Sequence, residues 1–156
     1  MRPSKFYSII TLLAFLASSI NLQAQTLASA ETAHTTIVEH VVKERPVLVE
    51  LLTTAGLLPV LSGNAAYTLF APPESELSAL KGQPADQIRL VLAGHIVKGK
   101  YTEKDLKDGA KLETLNGQSI TICRKKNTLI NGVAITKADT ELKNGVVHGL
   151  SSTLSY

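Results

Sequence analysis

Asn-Gly occurs three times in the last third of this 156-residue chain, at Asn116-Gly117, Asn131-Gly132 and Asn144-Gly145, thirteen to fifteen residues apart. The pair supplies the positive φ angles that tight hairpins require. Around it the pattern has a period of two: Ser119-Ile120-Thr121-Ile122 alternates, and Leu129-Ile130 and Val146-Val147 are short apolar runs. From Leu112 onward the chain therefore reads as a hairpin-rich sheet. The residues flanking the three turns do not match one another, so the spacing reflects turn chemistry and not a repeated module.

The preceding part has helical signals. Thr36-Ile37-Val38-Glu39 is a capping box that starts a helix to about Lys43. Pro46 suits the first turn of a second helix, Leu48, Leu51, Leu52 and Ala55 fall at helical spacing, and Gly56 fits the C-terminal cap. Tyr67 to Phe70 reads as a strand stopped by Pro72, and the acidic Glu74-Ser75-Glu76 opens a brief helix. Another helix begins near Ala85 with Ile88, Val91 and Leu92 as its apolar stripe. His95-Ile96-Val97 is then read as a strand and Thr102-Glu103-Lys104-Asp105 as a further capped helix. Helices first and strands after, with no linker between, give an α+β domain. Its N-terminal helices are expected to pack against a hairpin-rich, β-sandwich-like C-terminal half.

At the N-terminus, Arg2 and Lys5 precede an apolar run from Phe6 to Ala17 that ends among small residues, the pattern of a secretory signal peptide over residues 1–24. Ala24 is the favoured last residue of the leader, and Ala28-Ser29-Ala30 fits the small-x-small rule from farther away. The run is shorter than the roughly 20 apolar residues of a membrane-spanning helix, so no transmembrane anchor is expected. Cys123 is the only cysteine, which leaves neither a lipid-tethering residue after the run nor an internal disulfide. The expected product is exported: secreted, periplasmic or associated with the cell surface. The leader holds two of the sixteen basic residues and none of the thirteen acidic ones, so the remainder is nearly neutral. Nucleic acid is set aside on that ground, because its binding is dominated by phosphate neutralisation.

Three segments in order carry a resemblance. Tyr67-Thr68-Leu69-Phe70-Ala71-Pro72, running on to Leu77, resembles the first motif of the fasciclin (FAS1) domain family. Leu115-Asn116-Gly117-Gln118 resembles its central turn, and Asn144-Gly145-Val146-Val147-His148-Gly149-Leu150, running on to Leu154, its second motif. The resemblance covers residues 35–156 and implies a compact wedge of strands packed with helices. It also implies a non-enzymatic role in adhesion or extracellular association, with a protein or glycan as partner and no cofactor. Carried over by resemblance, the partner-contact positions are His95, Ile96, Val97 and Asp139. The sequence departs from the family pattern at Pro73-Glu74, at Gly94, where a tyrosine is usual, and at Thr140, where an aliphatic is usual.

Read on their own, His95 and His148 are each flanked by aliphatics on a predicted strand, where an imidazole usually makes buried hydrogen bonds. His34 and His40 stand at i, i+6, off a common helical face, so no metal site is expected. Ser75 and Ser119 lack the Gly-x-Ser-x-Gly elbow of a nucleophile. Arg124, Lys125 and Lys126 form a basic hairpin tip that could meet an acidic glycan. Leu57-Leu58-Pro59-Val60-Leu61 fits buried core. If exposed it would line a groove for an apolar small ligand, the alternative function.

Overall fold

The Thr36 hydroxyl accepts the Glu39 N–H at 3.3 Å while the Glu39 carboxylate takes the Thr36 N–H at 2.7 Å, so the capping box forms as its residues foretell. The computed structural model describes residues 34–156, and the leader with Arg2, Lys5 and Phe6 to Ala17 lies outside the described residues. Helix α1 (Ile37–Glu44) leads through Arg45 into α2 (Pro46–Thr54). No side chain of Arg45 caps α2. Its first turn is served from a distance: Glu74 accepts the Val47 and Leu48 N–H groups at 2.9 and 3.4 Å. Glu74 itself opens a short helix whose N-cap, Pro73, supplies no capping side chain.

After α3 (Leu58–Ser62) comes the fully buried strand β1 (Tyr67–Ala71), then α4 (Glu74–Leu77), a 3-10 turn, α5 (Ala85–Gly94) and β2 (Ile96–Lys98). His95 is not on the strand, contrary to the sequence expectation: it is the C-terminal cap of α5. Nor is Thr102 to Asp105 a helix. Its box bonds form, with Asp105 Oδ2 accepting the Thr102 N–H and hydroxyl at 2.9 and 2.7 Å, but a single turn results. Leu106, 1% exposed, is drawn into the core, and Gly109 (φ 74) turns the chain towards the sheet, so tertiary packing outweighs the local signal.

Five strands follow: β3 (Lys111–Glu113), β4 (Ser119–Arg124), β5 (Thr128–Ile130), β6 (Val133–Leu142) and β7 (Gly145–Leu150). With β1 and β2 they make one seven-stranded sheet in the order β2-β1-β7-β6-β5-β4-β3. The β1–β7 pair is parallel, Tyr67 beside Gly145 through Ala71 beside Gly149, and the other pairs are antiparallel. The sheet curls until its two edges meet, by a bridge between Val97 and Thr114 and a Leu115 N–H to Ile96 carbonyl bond of 2.8 Å. The expected sandwich-like half is thus one sheet wrapped on itself.

Alternation along β1 sorts the interior into two cores. Tyr67, Leu69 and Ala71 join Ile37, Leu48, Leu52 and Leu92 on the helical side. Phe70 joins Val97, Leu106, Ile120, Ile122, Ile130, Leu150 and Leu154 inside the curl. Both faces of β1 are therefore covered, which suits a strand with a parallel neighbour.

The three Asn-Gly pairs use their glycines differently. Only Asn131-Gly132 has positive φ at both residues, 48° and 85°. At Asn116-Gly117 the glycine alone is left-handed, φ 81°. The third turn is made by Lys143-Asn144, and Gly145 opens β7 because a Cβ there would overlap the Tyr67 carbonyl oxygen and stand 2.6 Å from Ile37 Cδ1.

Candidate functional site

His95, Ile96 and Val97 lie where α5 passes into β2, and the fold buries all three, with exposures of 0%, 0% and 2%. His95 Nδ1 donates to the Val91 carbonyl at 2.8 Å, and Nε2 accepts the Leu154 N–H at 2.9 Å. A carbonyl only accepts and an amide N–H only donates, so the ring is the neutral Nδ1–H tautomer. Ile96 packs into the helical core and Val97 into the curl. The expectation that these three touch a partner meets a physical obstacle, since they present almost no surface. His95 ties the end of α5 to the C-terminal segment through Leu154.

Asp139 lies on β6, separated from β2 by β7 and β1 in the sheet, so the structure does not bring it together with His95. It sits at a register shift with φ 55°, a conformation aspartate tolerates better than most residues. Its Oδ1 accepts the Glu103 N–H at 2.6 Å, and its own N–H donates to His148 Nδ1 at 3.2 Å. His148 Nε2 donates to the Tyr101 carbonyl at 2.8 Å, and the ring stacks on Phe70 with centroids 5.4 Å apart. These bonds make His148 the neutral Nε2–H tautomer and pin the loop from Gly99 to Asp105 onto β6 and β7. Burial pushes both imidazoles below the usual histidine range, outweighing the hydrogen bonds to Val91 and Tyr101 and the attraction of Glu76 or Asp139.

Arg124, Lys125 and Lys126 are all exposed at the β4–β5 tip. The Arg124 N–H donates to Asp108 Oδ1 at 2.7 Å and its Nη1 to the Glu103 carbonyl at 3.3 Å, which stiffens the base of the hairpin. None of the three side chains forms an ion pair within the described residues.

The surface of the described residues carries at least two grooves. One, of about 430 Å³, lies where β2 and β3 part beyond their single bridge, beside Tyr101. Another, of about 450 Å³, lies between α3, α5 and β2. Leu57 to Leu61 is split between the two roles considered for it. Leu61 is buried, Leu57 is buried but touches the floor of the second groove, and Val60 forms its wall. Sequence reasoning missed Tyr67, Arg89, Leu90 and Lys98 as groove residues. One signal was present: Leu90 lies off the Ile88, Val91, Leu92 stripe, and it is 54% exposed.

Among the described residues no group of three or more His, Cys, Asp or Glu side chains comes together to hold a metal, and no helix is long and apolar enough to cross a membrane. A family profile described as the Fasciclin domain matches residues 43–156. An uncharacterized protein of Synechocystis sp. is 27% identical over 114 residues, covering 69% of this chain and 86% of its own length. The transforming growth factor-beta-induced protein ig-h3 of Sus scrofa is 31% identical over 113 residues, 66% of this chain but 16% of that protein. Human periostin is 27% identical over 72% of this chain and 14% of its own length, so this chain spans a small part of the animal relatives. A FAS1 domain pair from the insect cell adhesion molecule Fasciclin I superposes over 80% of this chain and 52% of that one, with a TM-score of 0.64 at 18% identity, which shows a shared fold. With the profile reaching from α1 to the last residue over a sheet and helices of that same fold, this chain belongs to the fasciclin domain family.

Proposed function

We propose that this chain is an exported, non-enzymatic module that mediates adhesion or extracellular association with a protein or glycan. The observation that carries this reading is the β4–β5 tip, where the side chains of Arg124, Lys125 and Lys126 stand exposed together with no ion pair among the described residues. Exposed unpaired cations attract polyanions over about a Debye length, roughly 8 Å at physiological salt. Family context adds support, since relatives include a fasciclin-like arabinogalactan protein of Arabidopsis thaliana, 26% identical over 70% of this chain. His95, Ile96 and Val97 would serve this role from within by holding the fold, and Asp139 by fixing the loop beside β6.

The test is retention on immobilised heparin as a function of salt. Replacing Arg124, Lys125 and Lys126 together by serine is expected to lower affinity about tenfold at low ionic strength, an effect that fades as salt is added. Stability should stay within about 0.5 kcal/mol, because the sites are exposed. Unchanged retention would discard the patch.

A second reading, a carrier of an apolar small molecule, is favoured by the groove between α3, α5 and β2. Its volume of about 450 Å³ lies in the range of small-ligand sites, roughly 300–1,000 Å³. Native mass spectrometry of the protein from its own host tests it. Added mass lost on denaturation supports a carrier, and a bare chain counts against one.

A further inference from the structure

We infer that the groove between α3, α5 and β2 binds an amphiphilic carboxylate, its apolar body over Leu57, Val60, Leu90 and Leu115 and its head group between Arg89, Lys98 and the Tyr67 hydroxyl. The inference rests on the carrier reading and names the class of ligand. Its first support is the spacing along α5. Asp86, Arg89, Leu90 and Ala93 recur at three and four residues, so they share the helical face that forms one wall. Leu90, 54% exposed on that wall, is one of three large apolar residues left open in the described chain.

The second support is Tyr67. It is 8% exposed, packs its ring into the helical core, and lines the groove. Its hydroxyl makes no hydrogen bond with any described residue. Every fully buried side-chain oxygen and nitrogen there does have a partner, so this hydroxyl must open onto the groove. A tyrosine that buries its ring usually satisfies its hydroxyl, and here the partner has to come from outside the described residues.

The third support is charge. Arg89 spends Nη1 on the Ala55 carbonyl at 2.9 Å but meets no carboxylate within ion-pair distance, and Lys98 forms no ion pair among the described residues. Asp86 is the one acidic side chain on the lining, so cations outnumber anions two to one. Asn116 is not available as a head-group donor, because its amide nitrogen is committed to the Leu90 carbonyl at 3.1 Å and Gln118 Oε1 at 2.6 Å. What remains on the lining is a guanidinium, an ammonium and a phenol beside the apolar Leu57, Val60, Leu90 and Leu115. That set matches a planar carboxylate on a hydrocarbon or aromatic body better than a polyol, whose hydroxyls the walls would leave unpaired.

The test is titration of isotope-labelled protein with sodium decanoate, followed by amide NMR, with decan-1-ol as the uncharged control. Decanoate is expected to shift the amides of Leu90, Ala93, Lys98 and Leu115, and to bind about tenfold more tightly than decanol. Tyr67→Phe and Lys98→Gln remove groups that make no side-chain bond with any described residue, so both variants should unfold at the wild-type midpoint while weakening decanoate several-fold and leaving decanol unchanged. Equal binding of acid and alcohol, or wild-type decanoate affinity in both variants, would overturn the carboxylate assignment while leaving the carrier reading standing. Absence of groove shifts with either probe would overturn both.

Discussion

Two buried imidazoles hold opposite parts of the sheet by the same device, each ring accepting one backbone N–H and donating to one backbone carbonyl. Protonation would put a second N–H where a donor already points. Burial lowers the folded-state pKa of both, and of half-buried His40, below the unfolded value of about 6.5. The sign follows: above about pH 6.5 the rings are neutral in both states and stability is full. As the pH falls through the unfolded value, the unfolded chain takes up protons first and stability declines until the folded-state values are reached. Urea midpoints are expected to be flat from pH 8 to 7 and to fall by pH 5.5, with a shallower fall in His148→Gln. Equal midpoints at pH 7.5 and 5.5 would refute this. A separate loss belongs to lower pH, where hydrogen bonds from Thr153, Thr36 and Thr102 hold Glu76, Glu39 and Asp105 below the usual carboxylate range. Gly145 is the other position where one atom decides the outcome. Gly145→Ala is expected to cost about 3 kcal/mol or more, read as loss of cooperative unfolding, because the Tyr67 backbone cannot move aside. The sequence announced buried histidines and a needed glycine, but not that the glycine serves close approach between strands instead of a turn.

At the scale of elements, the helices were legible wherever their signals are local. The capping box at Thr36 and Pro46 at the start of α2 hold in the fold, as do Ile88 and Leu92 of the α5 stripe, whereas Val91 is only half-buried. What could not be read is help from elsewhere in the chain. Glu74 caps α2, and Asn144 serves two helices at once. Its Oδ1 accepts the Ile37 N–H at 2.8 Å, and its Nδ2 donates to the Leu61 carbonyl at 2.7 Å. Asn144→Ala strands both groups in the interior and should cost about 3 kcal/mol in a denaturant melt. Glu74→Ala, which leaves two N–H groups near the surface, should cost about 1 kcal/mol. If the two losses prove equal, the Asn144 bonds do not matter as their burial implies. The failed helix at Thr102 teaches the converse: a complete local signal gave one turn, because Leu106 had a place in the core to fill.

At the scale of the whole molecule, α+β layering followed from where the hydrophobic period changes, whereas the closing of the sheet on itself did not. The Val97–Thr114 bridge joins strands whose pairing no local pattern encodes. The groove was illegible for the same reason, since Leu57, Tyr67, Arg89 and Leu115 meet through the fold and not through spacing. The basic tip, being contiguous, could be read directly. One feature of the topology bears on how such a chain comes into being. β7 is among the last segments in sequence, yet it lies in the middle of the sheet between β1 and β6. A polypeptide emerging amino end first holds β1 without its parallel neighbour until residues 145–150 are released. A chain ending before Asn144 should therefore show no cooperative transition by circular dichroism. Up to that moment β1 lacks every backbone hydrogen bond of its parallel edge. β7 then acts as a timing device, postponing the commitment to fold until residues 145–150 have joined the sheet.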